Sequence, residues 1–284
     1  MISVIIPAKD EEAAVGSTVQ QVRGALGKTK HEVVVVDDGS RDATAERARK
    51  AGARVISHPH NLGYGAALKT GIRAARYDTI VITDADNTYP NDQIPQLLKV
   101  YQKGFDMVVG ERTGEHYLES ILKSPLRMVL KFLVEYTTGR KVPDVNSGLR
   151  IFSREKVLPY FSHLCNTFSF TTSLTLAYMM NFLFVAYLPI PYHKRTGRTK
   201  VRLWRDTLRT LQYIVEAIVY YNPIKLFILM SSLIIGGSLF SLVVALFTRL
   251  TIFYFLGIGG ILMSILIFSL GLIAVLLQKI MVKE

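Results

Sequence analysis

Thr79-Ile80-Val81-Ile82-Thr83-Asp84-Ala85-Asp86 is a short apolar run that ends in two carboxylates one residue apart. Its length and its isoleucine and valine content read as a buried strand. Side chains at i and i+2 of an extended segment point the same way, so Asp84 and Asp86 can reach one hard cation, Mg²⁺ or Mn²⁺, that also binds a diphosphate. An isolated Asp-x-Asp is more often a solvated acidic turn. Its meaning therefore depends on what surrounds it.

Outward from this run, strand-like segments at 3–8, 33–36, 54–57, 79–83 and 107–110 alternate with helical patterns at 13–26, 42–51, 66–76 and 93–103. Asp42 is the expected N-cap of the second helix and Gly52 its stop. The alternation predicts an α/β domain with a largely parallel, Rossmann-like sheet. In such sheets ligands bind beyond the carboxyl ends of the strands. Pro7 to Glu12, Asp37-Asp38-Gly39-Ser40 and Asp84-Ala85-Asp86 all fall there, which puts three acidic loops on one edge. Neither an internal repeat nor a low-complexity tract is evident.

The far end of the chain is different. Half of the 284 residues are apolar, and residues 226–247 and 250–277 contain no charged side chain. Each run meets the roughly 20 residues a helix needs to cross a bilayer. Only Thr248 and Arg249 separate them, which predicts a tight transmembrane hairpin with spans near 226–247 and 252–277. A hairpin buried in a soluble protein is the alternative. The expected organisation is a domain over 1–223 and a hairpin over 224–284.

Seven Lys or Arg crowd residues 194–209, and Lys279 and Lys283 follow the second span. The positive-inside rule then predicts a multi-pass integral membrane protein whose domain and C-terminus face the cytoplasm. Residues 1–7 read as an immediate strand, without the marks of a secretory leader. Cys165 stands alone, so no internal disulfide is expected, in keeping with a reducing compartment. The net charge is +12. Its densest cluster abuts the membrane, so anionic headgroups and phosphorylated lipids are the expected partners rather than nucleic acid. A solvated basic face is the alternative, and a homo-oligomer stays open.

Val4-Ile5-Ile6-Pro7-Ala8-Lys9-Asp10-Glu11-Glu12, Val35-Val36-Asp37-Asp38-Gly39-Ser40-Arg41-Asp42-Ala43-Thr44, Asn61-Leu62-Gly63-Tyr64-Gly65, Asp84-Ala85-Asp86, Ser147-Gly148-Leu149-Arg150 and Gly197-Arg198-Thr199-Lys200 together carry a family likeness. The chain resembles the GT-A glycosyltransferases of family 2, and among them the polyprenyl-phosphate sugar synthases related to dolichol-phosphate mannose synthase. The resemblance implies that Pro7, Lys9, Glu11, Val36, Asp37 and Asp38 line a nucleotide pocket. Lys9 and Asp10 stand where the family usually has Tyr and Asn. Asp37-Asp38 followed by Gly-Ser is also ordinary turn chemistry. The resemblance further implies a divalent metal on Asp84 and Asp86, with Ala85 and Thr88 beside the donor and Arg112 near its diphosphate. Lys194, Arg195 and Lys200 would lie on a loop that closes over phosphate groups and excludes water. Attraction to the membrane surface alone accounts for the same cations.

Asp144 occupies the family's acidic position before Ser147-Gly148 and is a candidate general base. The expected acceptor argues against needing one, because a phosphate monoester has a second pKa near ~6 and is already largely deprotonated at neutral pH. Orienting the acceptor or Arg150 is the other reading of Asp144. Segments 121–136 and 203–221 are amphipathic, suited to the bilayer interface or to packing on the sheet. Trp204, Tyr213, Tyr220 and Tyr221 lie where an aromatic belt precedes the first span.

The expectation is a metal-dependent, inverting transfer of a hexose from a nucleoside diphosphate sugar to a polyprenyl phosphate, with Asp86, Asp144, Arg112 and Lys200 as the candidate catalytic residues. The alternatives are another membrane glycosyltransferase, making a glycolipid or polysaccharide, and a non-catalytic nucleotide-binding scaffold. Sugar, base and lipid length are not written in these residues.

Overall fold

The structure, a computed structural model, describes residues 1–114, 125–193 and 203–281. Its core is a seven-stranded sheet built from β1 (Ile2–Ala8), β2 (His31–Asp37), β3 (Arg54–Ser57), β4 (Thr79–Ile82), β5 (Met107–Thr113), β6 (Arg150–Ser153) and β7 (Val185–Pro191). The strand order is β3-β2-β1-β4-β6-β5-β7. All neighbours run parallel except β6, which is antiparallel to both β4 and β5.

The helices are α1 (Val15–Leu26), α2 (Thr44–Lys50), α3 (Tyr64–Ala74), α4 (Ile94–Tyr101), α5 (Pro125–Thr138), α6 (Arg154–Val157), α7 (Phe170–Met180), α8 (Leu203–Tyr221), α9 (Pro223–Thr248) and α10 (Thr251–Met281). β1 is buried along its whole length, and its alternate residues feed opposite layers. Val4 and Ile6 pack with Val15, Val19 and Val22 of α1. On the other face α3 comes so close that a Cβ on Gly71 would lie 2.3 Å from Ile5 Cγ2. Pro7 is tolerated in this central strand because β4 pairs only with Ile2 to Ile5, so the N–H that Pro7 lacks has no strand to serve. β7 closes one edge and carries Pro189 and Pro191, which blunt it against further pairing.

Several boundaries differ from the sequence expectation. The second helix starts at Thr44 with Ala43 at the cap position. Asp42 works from just outside it, accepting from the Thr44 N–H at 3.0 Å and from the Glu12 N–H at 3.2 Å. The third helix begins at Tyr64, two residues early, and the fourth follows a 3₁₀ turn, Asn91–Gln93. On α5, Val134 and Thr137 are buried and the helix packs against α7, while Met128, Val129 and Phe132 stay exposed.

The chain divides into two compact units, Met1–Ile214 and Val215–Glu284. In the second, α9 and α10 are 26 and 31 residues long and apolar enough to cross a bilayer. Their shared seam is small: Ser231, Ser238 and Ala245 recur every seven residues on α9, and Gly257, Ser264 and Gly271 do the same on α10. A Cβ on Gly260 would lie 2.0 Å from Ser238 Oγ, and one on Gly257 2.5 Å from Leu242 Cδ2. Ser231 Oγ donates to the Ser264 carbonyl at 3.2 Å and Ser241 Oγ to that of Phe253 at 2.9 Å. Small residues and crossing hydrogen bonds hold helices together where the solvent is as apolar as the side chains. Leu233, Phe240, Phe255 and Leu262 point outward.

Candidate active site

The loops after β1 and β2 are tied together before any ligand is considered. Asp10 adopts a left-handed backbone, φ 46°, which Asp and Asn tolerate better than other side chains. In that pose its N–H donates to Ser40 Oγ at 2.9 Å and its Oδ1 accepts from the Arg41 N–H at 2.8 Å. The Glu11 N–H donates to Thr44 Oγ1 at 2.8 Å. Pro7 and Val36 are buried at adjacent strand ends, with Lys9 and Glu11 on the rim beside them.

Asp37 and Asp38 are both nearly buried and do different things. Asp37 Oδ1 accepts from the Ser40 N–H at 3.1 Å, which closes its own turn. Asp38 reaches across to the next loop: Oδ1 accepts from the Leu62 N–H at 2.8 Å and Oδ2 from the Gly63 N–H at 2.9 Å. His58 Nδ1 lies 2.8 Å from Asp38 Oδ1, and its Nε2 lies 3.0 Å from Thr70 Oγ1. Asp38 thus fastens the turn that starts α3. The glycines of Asn61-Leu62-Gly63-Tyr64-Gly65 serve close packing, since Cβ atoms on Gly63 and Gly65 would lie 2.5 and 2.2 Å from the Asn166 and Cys165 carbonyls.

β4 ends at Ile82, so Asp84 and Asp86 lie on a bend rather than on an extended strand, and Asn87 is left-handed at φ 60°. Both carboxylates act on one neighbour. Burial pushes the Tyr192 hydroxyl up in pKa, Arg112 pulls it back, and Asp84 and Asp86 both push it further up. Asp84 Oδ1 accepts from Tyr64 Oη at 2.8 Å, and Asp86 Oδ1 accepts from Thr88 Oγ1 at 2.6 Å. Ala85 is buried, its carbonyl accepting from Thr18 Oγ1 at 3.2 Å.

β6 enters the sheet from this same edge, so the loop before it brings Gly148 against Asp84 and carries Asp144 and Ser147 beside it. A Cβ on Gly148 would lie 2.9 Å from Asp84 Oδ2, and the Gly148 N–H donates to Tyr89 Oη at 2.6 Å. Ser147 Oγ is buried without a hydrogen-bond partner among the described residues. Two carboxylates, with an unpartnered buried hydroxyl next to the glycine packed on one of them, offer the oxygen donors that a hard cation takes.

Asp144, 1 % exposed, faces Arg112. It accepts from Arg112 Nε at 2.7 Å, Nη2 at 2.8 Å and the backbone N–H at 3.2 Å. Burial would raise its pKa, but the Arg112 charge and hydrogen bonds outweigh burial and hold it below the ordinary carboxylate value. Arg112 also lies over the Tyr192 ring, 5.3 Å from its centroid. Arg150 is wholly buried and braces the same loop, donating to the Ser147 and Val145 carbonyls at 2.7 and 2.6 Å and to Thr175 Oγ1 at 2.7 Å.

Lys194, Arg195 and Lys200 lie outside the described residues. Tyr64, Tyr89 and Tyr192 were not singled out in the sequence, although the three hydroxyls line the carboxylate cluster.

The sequence pattern of Glycosyl transferase family 2 matches residues 3–161. A relative in Haloferax volcanii, a dolichyl-phosphate hexose transferase, is 33 % identical over 202 residues, covering 70 % of this chain and 86 % of that protein. An undecaprenyl-phosphate 4-deoxy-4-formamido-L-arabinose transferase from Pseudomonas fluorescens is 32 % identical over 162 residues, 54 % of this chain and 47 % of the relative's length. Among solved structures, glucosyl-3-phosphoglycerate synthase from Mycobacterium tuberculosis in complex with Mn²⁺, UDP and glucosyl-3-phosphoglycerate superposes with a TM-score of 0.64 at 23 % identity, covering 76 % of this chain and 79 % of that one. That likeness speaks for the GT-A fold. With the sequence pattern running from β1 past β6 over more than half of the chain, the protein belongs to glycosyl transferase family 2.

Proposed function

We propose that this glycosyltransferase moves a hexose from a UDP- or GDP-linked sugar to a polyprenyl phosphate, with Mg²⁺ or Mn²⁺ and with inversion at the anomeric carbon. The observation that carries the reading is the gathering of opposite charges near Tyr192: Arg112 lies over its ring, 5.3 Å from the centroid, and Asp84 and Asp86 both act on its hydroxyl. A site for a metal diphosphate and a phosphate acceptor needs both signs within a few ångströms. The relatives whose names carry a polyprenyl phosphate support the acceptor class.

In this reading an oxygen of the lipid phosphate attacks the anomeric carbon while the bond from that carbon to the diphosphate oxygen breaks, and the nucleoside diphosphate leaves. A cation on Asp84 and Asp86 would stabilise the charge that grows on the leaving diphosphate. Arg112, held by Asp144, presents its guanidinium to phosphate oxygens. Asp37, with Pro7, Lys9, Glu11 and Val36, forms the nucleotide side, and Ala85 and Thr88 lie next to the diphosphate. Asp38, which also holds the α3 turn, lines the nucleotide side as well. Lys194, Arg195 and Lys200 are the further cations assigned to phosphate binding in this reading. No base is required: the attacking oxygen has lost its proton by about pH 6, and a carboxyl held below its ordinary pKa is a poor proton acceptor.

Residues 1–223 form the catalytic domain on the cytoplasmic face, and residues 224–284 span the bilayer twice, in keeping with the outward-facing apolar surface of α9 and α10. The test is transfer from a panel of radiolabelled UDP- and GDP-sugars to polyprenyl phosphate by the full chain in detergent, with and without divalent metal, beside Asp86→Ala. A lipid-linked product from one donor, dependent on metal and absent in Asp86→Ala, is expected. Product that persists in Asp86→Ala or in chelator overturns the metal assignment, and no lipid product from any donor overturns the acceptor.

A further inference from the structure

We propose that Tyr64 is a positioning residue for the metal site, fixing the carboxylate of Asp84 in the orientation a divalent cation needs. This rests on the metal reading above. Tyr64 is the first residue of α3, and its hydroxyl donates to Asp84 Oδ1 at 2.8 Å. Gly148 packs against the same carboxylate, where a Cβ would lie 2.9 Å from Oδ2 and 3.0 Å from Oδ1. The acid is thus gripped at one oxygen by Tyr64 and faced by a residue without a side chain.

Three features make this grip a built one. The Tyr64 ring stacks on Phe168 with centroids 5.7 Å apart, which fixes the direction of the hydroxyl. Its backbone follows Gly63, whose N–H is held by Asp38, and precedes Gly65, which is pressed against the Cys165 carbonyl. The residue before the helix therefore cannot shift without breaking the Asp38 clasp. A chain of contacts runs from Thr70 through His58 and Asp38 to the α3 turn, and from there through Tyr64 to Asp84. Residues that orient a metal ligand in this way typically change metal affinity about 10- to 100-fold when removed.

The experiment measures Mn²⁺ affinity of the full chain in detergent by electron paramagnetic resonance, with no donor or acceptor present, for the parent, Tyr64→Phe and Asp86→Asn, together with the melting temperature of each without metal. The expected result is an affinity about tenfold weaker in Tyr64→Phe with an unchanged metal-free melting temperature, and Mn²⁺ binding lost in Asp86→Asn. Parent-like affinity in Tyr64→Phe with loss in Asp86→Asn overturns the role of Tyr64 and leaves the metal reading standing. Parent-like affinity in both overturns the metal reading and this inference with it. Weakened binding in Tyr64→Phe matched by a lowered metal-free melting temperature also overturns it, because a hydroxyl that merely supports the fold gives that pair of effects.

Discussion

Replacing Asp144 with Asn separates positioning from proton transfer. The native carboxylate accepts three hydrogen bonds from Arg112, two of them charge-assisted at 2.7 and 2.8 Å, inside a pocket that leaves the Arg112 side chain 16 % exposed. Asparagine keeps the shape and one acceptor oxygen, but turns an amide N–H toward the guanidinium and removes the neutralising charge. Breaking a buried pair costs about 3–5 kcal/mol, and a partner that reaches some solvent recovers part of that, so about 2–4 kcal/mol is expected. For a domain of this size the melting temperature should drop by roughly 5–15 °C.

The sign of the pH dependence follows from the lowered pKa of Asp144. A carboxylate whose native pKa is depressed contributes stability that is complete above its ordinary value, 3.8, and is lost as pH falls through the native value. The stability gap between parent and Asp144→Asn should therefore stay constant from neutral pH to about pH 4 and close below it. Activity should fall by up to about 10²-fold as Arg112 drifts from its phosphate. The acid limb of kcat/KM, set by the acceptor phosphate near ~6, should not move. Loss of that limb in Asp144→Asn with an unchanged melting temperature would refute the reasoning and make Asp144 the base.

Two further predictions concern the scaffold. Phe182 ends α7 in a left-handed conformation, φ 61°, within a Schellman turn in which its N–H donates to the Met179 carbonyl and the Leu183 N–H to that of Tyr178. Phe182 is 80 % exposed, so Phe182→Gly gives up little burial and relieves the Cβ clash; stabilisation of about 0.5–1 kcal/mol is expected in thermal melts, and destabilisation would contradict the assignment. In the hairpin, Gly260→Leu drives a side chain into Ser238 and should destabilise α9 against α10 by about 1–3 kcal/mol, read as loss of monodisperse protein on heating in detergent. Leu233→Ala, on the outer face, serves as the control and should change little.

What was legible in the sequence was whatever depends on local pattern. The continuous Val and Ile runs of β1, β2 and β4 can only be strands covered on both faces, and uncharged stretches longer than 20 residues can only be long apolar helices. β6 and β7 escaped for local reasons too. β6 is four residues long and opens with a buried arginine, and β7 carries two prolines, which argue against a strand until it is known to lie at an edge. The two-unit boundary at Ile214 falls inside α8, where no change of composition marks it.

The site was legible as a set of acids but not as a division of labour among them. Asp37 and Asp38 are adjacent, chemically identical and both nearly buried, yet one closes its own turn while the other holds backbone N–H groups 24 and 25 residues away. Asp144 is separated from Arg112 by 32 residues, and Tyr64 from Asp84 by 20. An acidic side chain becomes a ligand or a strut according to which donors reach it first, and those donors come from other loops. The motif therefore names the residues while the sheet decides their roles. By that logic the carboxylates to test as ligands are those whose surroundings leave room for a cation. Asp38, with the Leu62 and Gly63 N–H groups and His58 already on its oxygens, does not meet that condition.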